Sequence, residues 1–447
     1  MADQSFSTDN FRKVLDIENR KGLYLEGRFF PEIKLINEKI RKYKAEIKEK
    51  KKNGSEDESE LKKLNDAKKI LEAEKEKKLT DELQKISEIV ALLNFRIELR
   101  RVDIPDSKSI YTVDRSLPEN YFVLKQIQRN VSNLYDVQQS NRSEIVSQVK
   151  FLLSDGFPKC VLRTDIEDFY ENIPHRQILK KISEDSLLSP LSKKFLRQIL
   201  NKYKEKSGSI KGVPRGIGVS AHLAELYMRD IDSKIKRLSD VTYYARYVDD
   251  IIVILTPTPN NQNEDYENKI KDIIEKEYQL ELNMDKTVLF DLRNGQQSYE
   301  LNYLGYKMYF GTTGIKTELT EKKFEKYKNR IKLSFANYLD LSKVSEKKAR
   351  NLLVKRIRFL TGNTRLVNNK KNILTGIYYS NNQLTEYDYL KRLDSSLRAR
   401  INNQISLPKL KARLKKYSFV EGYKTKRFSP FNARELSEIM KIWKKRF

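Results

Sequence analysis

Residues 243–255 restrict the fold of this chain more than any other stretch. Tyr243-Tyr244-Ala245-Arg246-Tyr247-Val248 runs into Asp249-Asp250, and the aliphatic run Ile251-Ile252-Val253-Ile254-Leu255 follows at once. β-Formers on both sides of paired acids predict a hairpin with two carboxylates at its tip. A solvated turn would look the same in isolation. Upstream, Val161-Leu162-Arg163-Thr164 reads as another strand, delivering Asp165 at its end, and a short turn then presents Phe169 and Tyr170. Between the two segments, Gly212-Val213-Pro214-Arg215-Gly216-Ile217-Gly218-Val219-Ser220 leads into a helix expected over residues 220–237.

One acid from a strand end and two from an adjacent hairpin tip make a clamp for hard cations. Phosphoryl transfer from a nucleoside triphosphate uses two Mg²⁺ ions about 3.5–4 Å apart, one at the attacking hydroxyl and one at the departing pyrophosphate. Mg²⁺ takes a few carboxylates together with phosphate oxygens and water. Composition leaves few other chemistries. His175 and His222 are the only histidines and Cys160 the only cysteine, which removes most imidazole-based hydrolysis, intramolecular disulfides and cysteine-ligated zinc. All three read as structural residues.

A chain of 447 residues should divide into two or three units. Its net charge is +27, and residues 321–447 hold 33 basic and 10 acidic side chains, so +23 lies there and +4 elsewhere. That asymmetry points to a polyanionic partner, nucleic acid, for the C-terminal part. Near the N-terminus, Ile33, Ile36, Ile40, Tyr43 and Ile47 recur at helical spacing. So do Leu61, Leu64, Leu71, Leu79, Leu83, Ile86, Val90, Leu93 and Ile97, beyond the polar cluster Lys52-Asn53-Gly54-Ser55-Glu56-Asp57. The pattern predicts a projecting helical hairpin of nearly balanced charge, a spacer or assembly element. No apolar run approaches a membrane span, residues 1–10 show no secretory pattern, and the cysteine usage suits a cytoplasmic protein. Tyr378-Tyr379 and Trp443, the latter beside Lys441, Lys444 and Lys445, suit either core packing or stacking on bases.

Taken in order, these segments resemble the motifs of reverse transcriptases over roughly residues 120–310. Asp165 to Tyr170 resembles the first catalytic motif, Pro214-Arg215-Gly216 to Ser220 the second and Tyr247-Val248-Asp249-Asp250 the third. Leu282-Asn283-Met284-Asp285-Lys286-Thr287 resembles the fourth, and Leu301-Asn302-Tyr303-Leu304-Gly305-Tyr306 the primer-grip hairpin. The sequence departs from the family at Arg215, where Gln is usual, and at Ala221, where Pro is usual. The resemblance implies an α+β right-hand polymerase. Residues 1–104 would form an N-terminal region with the helical hairpin, 105–160 the fingers, 161–311 a palm of antiparallel sheet backed by helices, and 312–447 a basic helical thumb with a C-terminal extension.

The same resemblance implies roles for individual residues. Asp165, Asp249, Asp250 and Lys286 would be catalytic, with Lys286 approaching the triphosphate, where it could protonate pyrophosphate. Asp165, Ile166, Asp249 and Asp250 would form the site for two Mg²⁺ ions, with Mn²⁺ as the alternative. Tyr170, Arg215, Gly216, Arg163 and Arg142 would contact the nucleotide, Tyr170 as the aromatic gate against a 2′-hydroxyl.

Asn141-Arg142, Arg163-Thr164-Asp165-Ile166, Phe169-Tyr170 and Arg358-Phe359-Leu360-Thr361-Gly362-Asn363 are similar to bacterial antiphage-defence reverse transcriptases of the unassigned and abortive-infection-like groups. This implies an RNA-directed DNA polymerase with dNTPs, a DNA product and an RNA template, typically a structured noncoding RNA. A second reverse transcriptase or a homo-oligomer would be the protein partner. An untemplated terminal transferase on the same palm, and a non-catalytic RNA-binding scaffold, are the other readings.

Overall fold

A computed structural model describes all residues except 1–2, 22, 53–57, 106, 115, 137–139, 185, 294–297, 312–313, 367–372 and 444–447. The turn expected around Gly54, and Lys444 and Lys445, lie outside the described residues. Two compact units emerge, Met1–Gln138 with Asp168–Arg229 and Gln139–Glu167 with Asp230–Phe447.

Along the chain, the first unit contains α1 (Thr8–Arg20), α2 (Leu25–Phe29), α3 (Pro31–Lys52), α4 (Glu58–Ala91), β1 (Arg100–Val102), β2 (Ile110–Thr112) and α5 (Pro118–Tyr135). The second unit takes α6 (Arg142–Ser154) and β3 (Cys160–Asp165). The first resumes with α7 (Phe169–Asn172), α8 (His175–Glu184), α9 (Pro190–Ser207) and most of α10 (Gly218–Lys236). Everything after Arg229 belongs to the second: β4 (Val241–Tyr247), β5 (Asp250–Leu255), α11 (Tyr266–Asp272), β6 (Val288–Asp291), β7 (Tyr299–Tyr303), β8 (Tyr306–Phe310) and β9 (Lys316–Leu319). There follow α12 (Glu321–Ser342), α13 (Glu346–Leu360), β10 (Asn363–Leu366), β11 (Ile373–Gly376), α14 (Asp388–Gln404), α15 (Pro408–Lys415), α16 (Phe419–Lys424) and α17 (Ala433–Met440).

In the first unit α3 and α4 pack antiparallel, with cross-helix ion pairs Lys44–Glu72 at 3.2 Å and Lys78–Glu32 at 3.1 Å. The apolar stripe of α4 does not project freely along its whole length. Leu79, Leu83, Ile86 and Val90 are buried, and this helix packs on α1 and α5. The helix also stops at Ala91 rather than near Ile97. Beyond it Phe95, Ile97 and Leu99 are buried while Arg96 and Glu98 are exposed, a period of two that marks extended chain. The helical spacing read through Ile97 was therefore a coincidence of the two periods. Aromatic contacts close this core, with ring centroids of Phe6 and Phe195 5.0 Å apart and of Phe11 and Phe122 5.5 Å apart.

The second unit is built on an antiparallel sheet of order β4-β5-β3-β6. Its central strands are almost wholly buried, which is why β5 reads as an unbroken aliphatic run rather than an alternating one. One core extends from Val161, Ile252, Ile254 and Phe290 through Tyr303, Tyr306 and Phe310 of the β7-β8-β9 sheet. It continues to Phe335, Leu353, Leu397 and Phe419 on the C-terminal helices. The β7-β8-β9 sheet and the C-terminal helices thus share one core, and α6 adds Ile145, Val146, Val149 and Leu153 to it. Residues 142–154 accordingly pack with the second unit, apart from α5, because their apolar face finds the sheet side of the molecule. Trp443 packs on Phe359 and donates its indole N–H to the Arg330 carbonyl at 3.2 Å. Tyr378 packs edge-on against Tyr423.

Candidate active site

The acidic tip is formed by strand pairing. Asp165 lies directly opposite Asp250 across β3 and β5, while Tyr247 pairs with Asp250 across β4 and β5, leaving Val248-Asp249 as the loop. Val248 has φ 64°, a positive value at the first loop position as in a type II′ turn, where glycine is favoured. A β-branched residue held there stores about 1–3 kcal/mol. Backbone bonds fix the surroundings: Ile166 N–H donates to Asp249 O at 3.2 Å, Asn283 N–H to Asp165 O at 2.8 Å and Glu167 N–H to Glu281 O at 2.8 Å. Asp165, Asp249 and Asp250 each bring one carboxylate oxygen to within 4.8 Å of the others.

Two cations answer these three acids. Lys286 Nζ donates to Asp165 Oδ2 at 2.5 Å. The Arg163 guanidinium donates to Asp250 Oδ1 at 2.5 Å and to the Lys286 carbonyl at 2.8 Å. Burial, followed by the negative charge of Asp165, pushes the Asp249 carboxyl above its usual range. Burial also raises Asp250, with Arg163 opposing and Asp165 reinforcing the shift. A site that resists ionisation in this way gains from a positive ion, and clustered carboxylate oxygens suit a hard divalent cation. The residues present therefore fit a divalent metal, which Asp165, Asp249 and Asp250 would hold.

A stability measurement follows from that fit. Mg²⁺ or Mn²⁺ at about 100 times its dissociation constant should stabilise the fold by about 2.7 kcal/mol. Thermal unfolding with and without the ion checks this, and Asp249→Asn should remove most of the shift.

The first unit holds the glycine-bearing loop. Tyr170 sits on α7, with Asp168 before it at φ 45°. Arg215 pairs with Glu171, Nη2 to Oε2 at 2.9 Å, and lies 5.1 Å from the centre of the Tyr170 ring. Tyr170 O accepts from Val213 N–H at 2.7 Å, and Arg215 O accepts from Tyr111 N–H at 2.7 Å. Gly216 has φ 94°, and a Cβ there would stand 2.6 Å from Tyr111 O, so β2 leaves no room for a side chain. His175 is buried with Nε2 against Gly212 O at 2.5 Å, and His222 Nδ1 meets Gly218 O at 3.1 Å. His175 thus engages the loop backbone and His222 the first turn of α10, and Cys160 is a buried thiol.

Arg142, also expected at the nucleotide, stands at the β7–β8 turn. Its guanidinium donates from Nε to Leu304 O at 2.7 Å and lies 5.1 Å from the Tyr306 ring centre. Leu304 and Gly305 both have positive φ, 45° and 75°, so Arg142 secures the tight β7–β8 turn. The residue pattern named the acids, and the family resemblance named Lys286 and Arg163; the structure brings all five together. Neither named Glu171 as the partner of Arg215, or Asp232, whose carboxylate receives the Arg246 fork. The signal for the second pair was a basic residue two positions before the turn and an acid on the preceding helix.

Residues 116–308 match the family model described as reverse transcriptase (RNA-dependent DNA polymerase). No curated protein matches the chain. Among solved structures, apo telomerase from Candida tropicalis, truncated from its C-terminal domain, is 14% identical with a TM-score of 0.36, over 50% of this chain and 55% of that one. Telomerase from Candida albicans in complex with a TWJ fragment of telomeric RNA is also 14% identical at TM-score 0.36, over 80% of this chain and 62% of that one. The chain thus spans less than two thirds of either telomerase chain. The family match and the mixed fold of helices and antiparallel sheet make this a right-hand polymerase fold.

Proposed function

We propose that the reverse-transcriptase domain at residues 116–308, an RNA-directed DNA polymerase, extends primers with deoxynucleotides at a site whose metal ligands are Asp165, Asp249 and Asp250. The observation that carries the assignment is the convergence of three carboxylate oxygens within 4.8 Å. A binding scaffold has no use for such a cluster, because like charges at close range oppose folding. Divalent ions held there would activate the primer 3′-hydroxyl and neutralise charge on the departing pyrophosphate. Among the chain's own groups, Arg163 orients Asp250, and Lys286 is the ammonium available to give a proton to pyrophosphate. Tyr170 excludes a 2′-hydroxyl from the nucleotide, and the Arg215–Glu171 pair steadies that ring. Mg²⁺ is the proposed ion.

The template is proposed to be a structured noncoding RNA, and the biological setting antiphage defence. Both rest on the resemblance of residues 141–142, 163–170 and 358–363 to defence enzymes. In the last of these segments Asn363 is buried and its Oδ1 accepts from Tyr378 N–H at 2.9 Å, which makes it a structural corner. Sequencing the nucleic acid that co-purifies with the protein tests the assignment. One recurrent RNA and a DNA copy of it are expected, and an unselected mixture of cellular RNA would count against it.

The basic C-terminal region has a localised candidate surface. Residues 395–420 contain Arg398, Arg400, Lys409, Lys411, Arg413, Lys415 and Lys416 and no acid. Deleting 321–447 would remove part of the common core, so substitution is the sounder test. Replacing Lys409, Lys411, Arg413, Lys415 and Lys416 with Gln should weaken RNA binding at all sequences and reduce the log–log salt slope by about 3.5–4.5. An unchanged slope in the folded variant would place the nucleic-acid surface elsewhere.

A further inference from the structure

We infer that Arg246 and Asp232 form a clamp that holds Val248 in its left-handed conformation and so fixes the position of Asp249. Both are positioning residues, and the inference rests on the catalytic reading of Asp249 given above.

The geometry is that of a fork with a spare tine. Arg246 Nε donates to Asp232 Oδ1 at 2.9 Å and Nη2 to Asp232 Oδ2 at 2.9 Å, a bidentate pair. The remaining Nη1 donates to Val248 O at 2.8 Å. Tyr244 Oη donates to Asp232 Oδ1 at 2.6 Å, so the carboxylate is fixed from a second side. Arg246 is buried, with 7% of its surface exposed, and Asp232 stands on helix α10. The guanidinium is thus anchored to a rigid element and presents one N–H in a set direction.

That direction matters because of what it holds. Val248 has φ 64°, a conformation that a β-branched residue leaves when it is free to. Relaxation of Val248 to negative φ would turn the next peptide and carry Asp249 away from Asp165 and Asp250. The Ile166 N–H bond to Asp249 O at 3.2 Å and the Tyr247–Asp250 strand pairing also restrain the loop. Lysine at position 246 would keep the charge but could not make the fork and the third bond together.

The clamp is tested by coupling rather than by loss alone. Single-nucleotide addition is measured for wild type, Arg246→Lys, Val248→Gly and the double variant, with kcat and KM for dNTP separated. Arg246→Lys should lower kcat by about 10–100-fold, as loss of an outer-sphere orienting contact does. KM for dNTP should change far less, and the Mg²⁺ concentration for half-maximal rate should rise. Glycine adopts positive φ without help, so the double variant should recover about tenfold over Arg246→Lys alone. A double variant no faster than Arg246→Lys, or an Arg246→Lys enzyme with wild-type kcat, overturns the clamp. If Arg246→Lys does not fold, Asp232→Asn, which keeps Arg246 in place, is read against Val248→Gly by the same criterion. An active Asp249→Asn enzyme would instead sink the catalytic reading. An inactive Asp249→Asn enzyme without glycine rescue would sink the clamp alone.

Discussion

Asp249→Asn should abolish nucleotide incorporation, with a loss of about 10³-fold or more, while the metal-free protein unfolds at the wild-type temperature or above it. The two halves of this result have one cause. Asp249 is held beside Asp165 and Asp250, and burial together with the Asp165 charge raises its carboxyl pKa in the fold. An acid whose folded pKa exceeds its unfolded value of 3.8 loses stability as pH rises from there through the folded value. At neutral pH the charge is therefore a burden on the metal-free fold, and asparagine removes it while keeping size and hydrogen bonding. Function needs the charge that stability would discard. Primer extension and thermal unfolding on the same preparation check both halves. A variant that is inactive because it is unfolded would not support the assignment.

Tyr170→Ala should bring ribonucleotide use towards deoxynucleotide use, by about 10²-fold or more in the ratio of kcat/KM values. Tyr170 stands five residues after Asp165 in the sequence, and the family resemblance makes it the ring beneath the incoming sugar. Exclusion by a packed ring is steric, and packed protein yields little, so discrimination of this kind can be large. The ring is supported here by Phe169, with centroids 5.5 Å apart, and by the Arg215 guanidinium at 5.1 Å. Alanine removes the obstruction without touching a metal ligand, so deoxynucleotide addition should survive. Steady-state incorporation of matched dNTP and NTP on one primer–template decides the matter. An active variant with unchanged preference would show that Tyr170 is a core residue.

What the sequence revealed and what it hid follow from the range of the interactions concerned. The β3 and β5 strands and the acids at their ends were legible because local pattern sets them: an aliphatic run, a bend, two carboxylates. Lys286 followed from the resemblance to the fourth motif, while the pairing of Arg163 with Asp250 did not. Val248 was not legible as a strained residue, since valine argues for strand and nothing local announces positive φ. Its support comes from Asp232, on a helix that precedes the hairpin, through Arg246. The bond from Arg142 to Leu304 was not legible for the same reason, because the two lie 162 residues apart. The division of residues 105–160 between two units, and the core shared by the β7-β8-β9 sheet and the C-terminal helices, depend on which apolar faces meet. That is long-range packing, and spacing along the chain does not encode it. The helix expected to reach Ile97 failed where three- and two-residue periods overlap over a few positions.

The most direct measurement is single-nucleotide addition to a primer annealed to an RNA template, with the templating base varied and each dNTP supplied in turn. The expected result is addition of the complementary dNTP only, dependent on a divalent ion, and absent in Asp249→Asn. Addition that ignores the templating base would make this an untemplated terminal transferase. Templated addition that persists in Asp249→Asn would contradict the assignment of the carboxylate cluster itself.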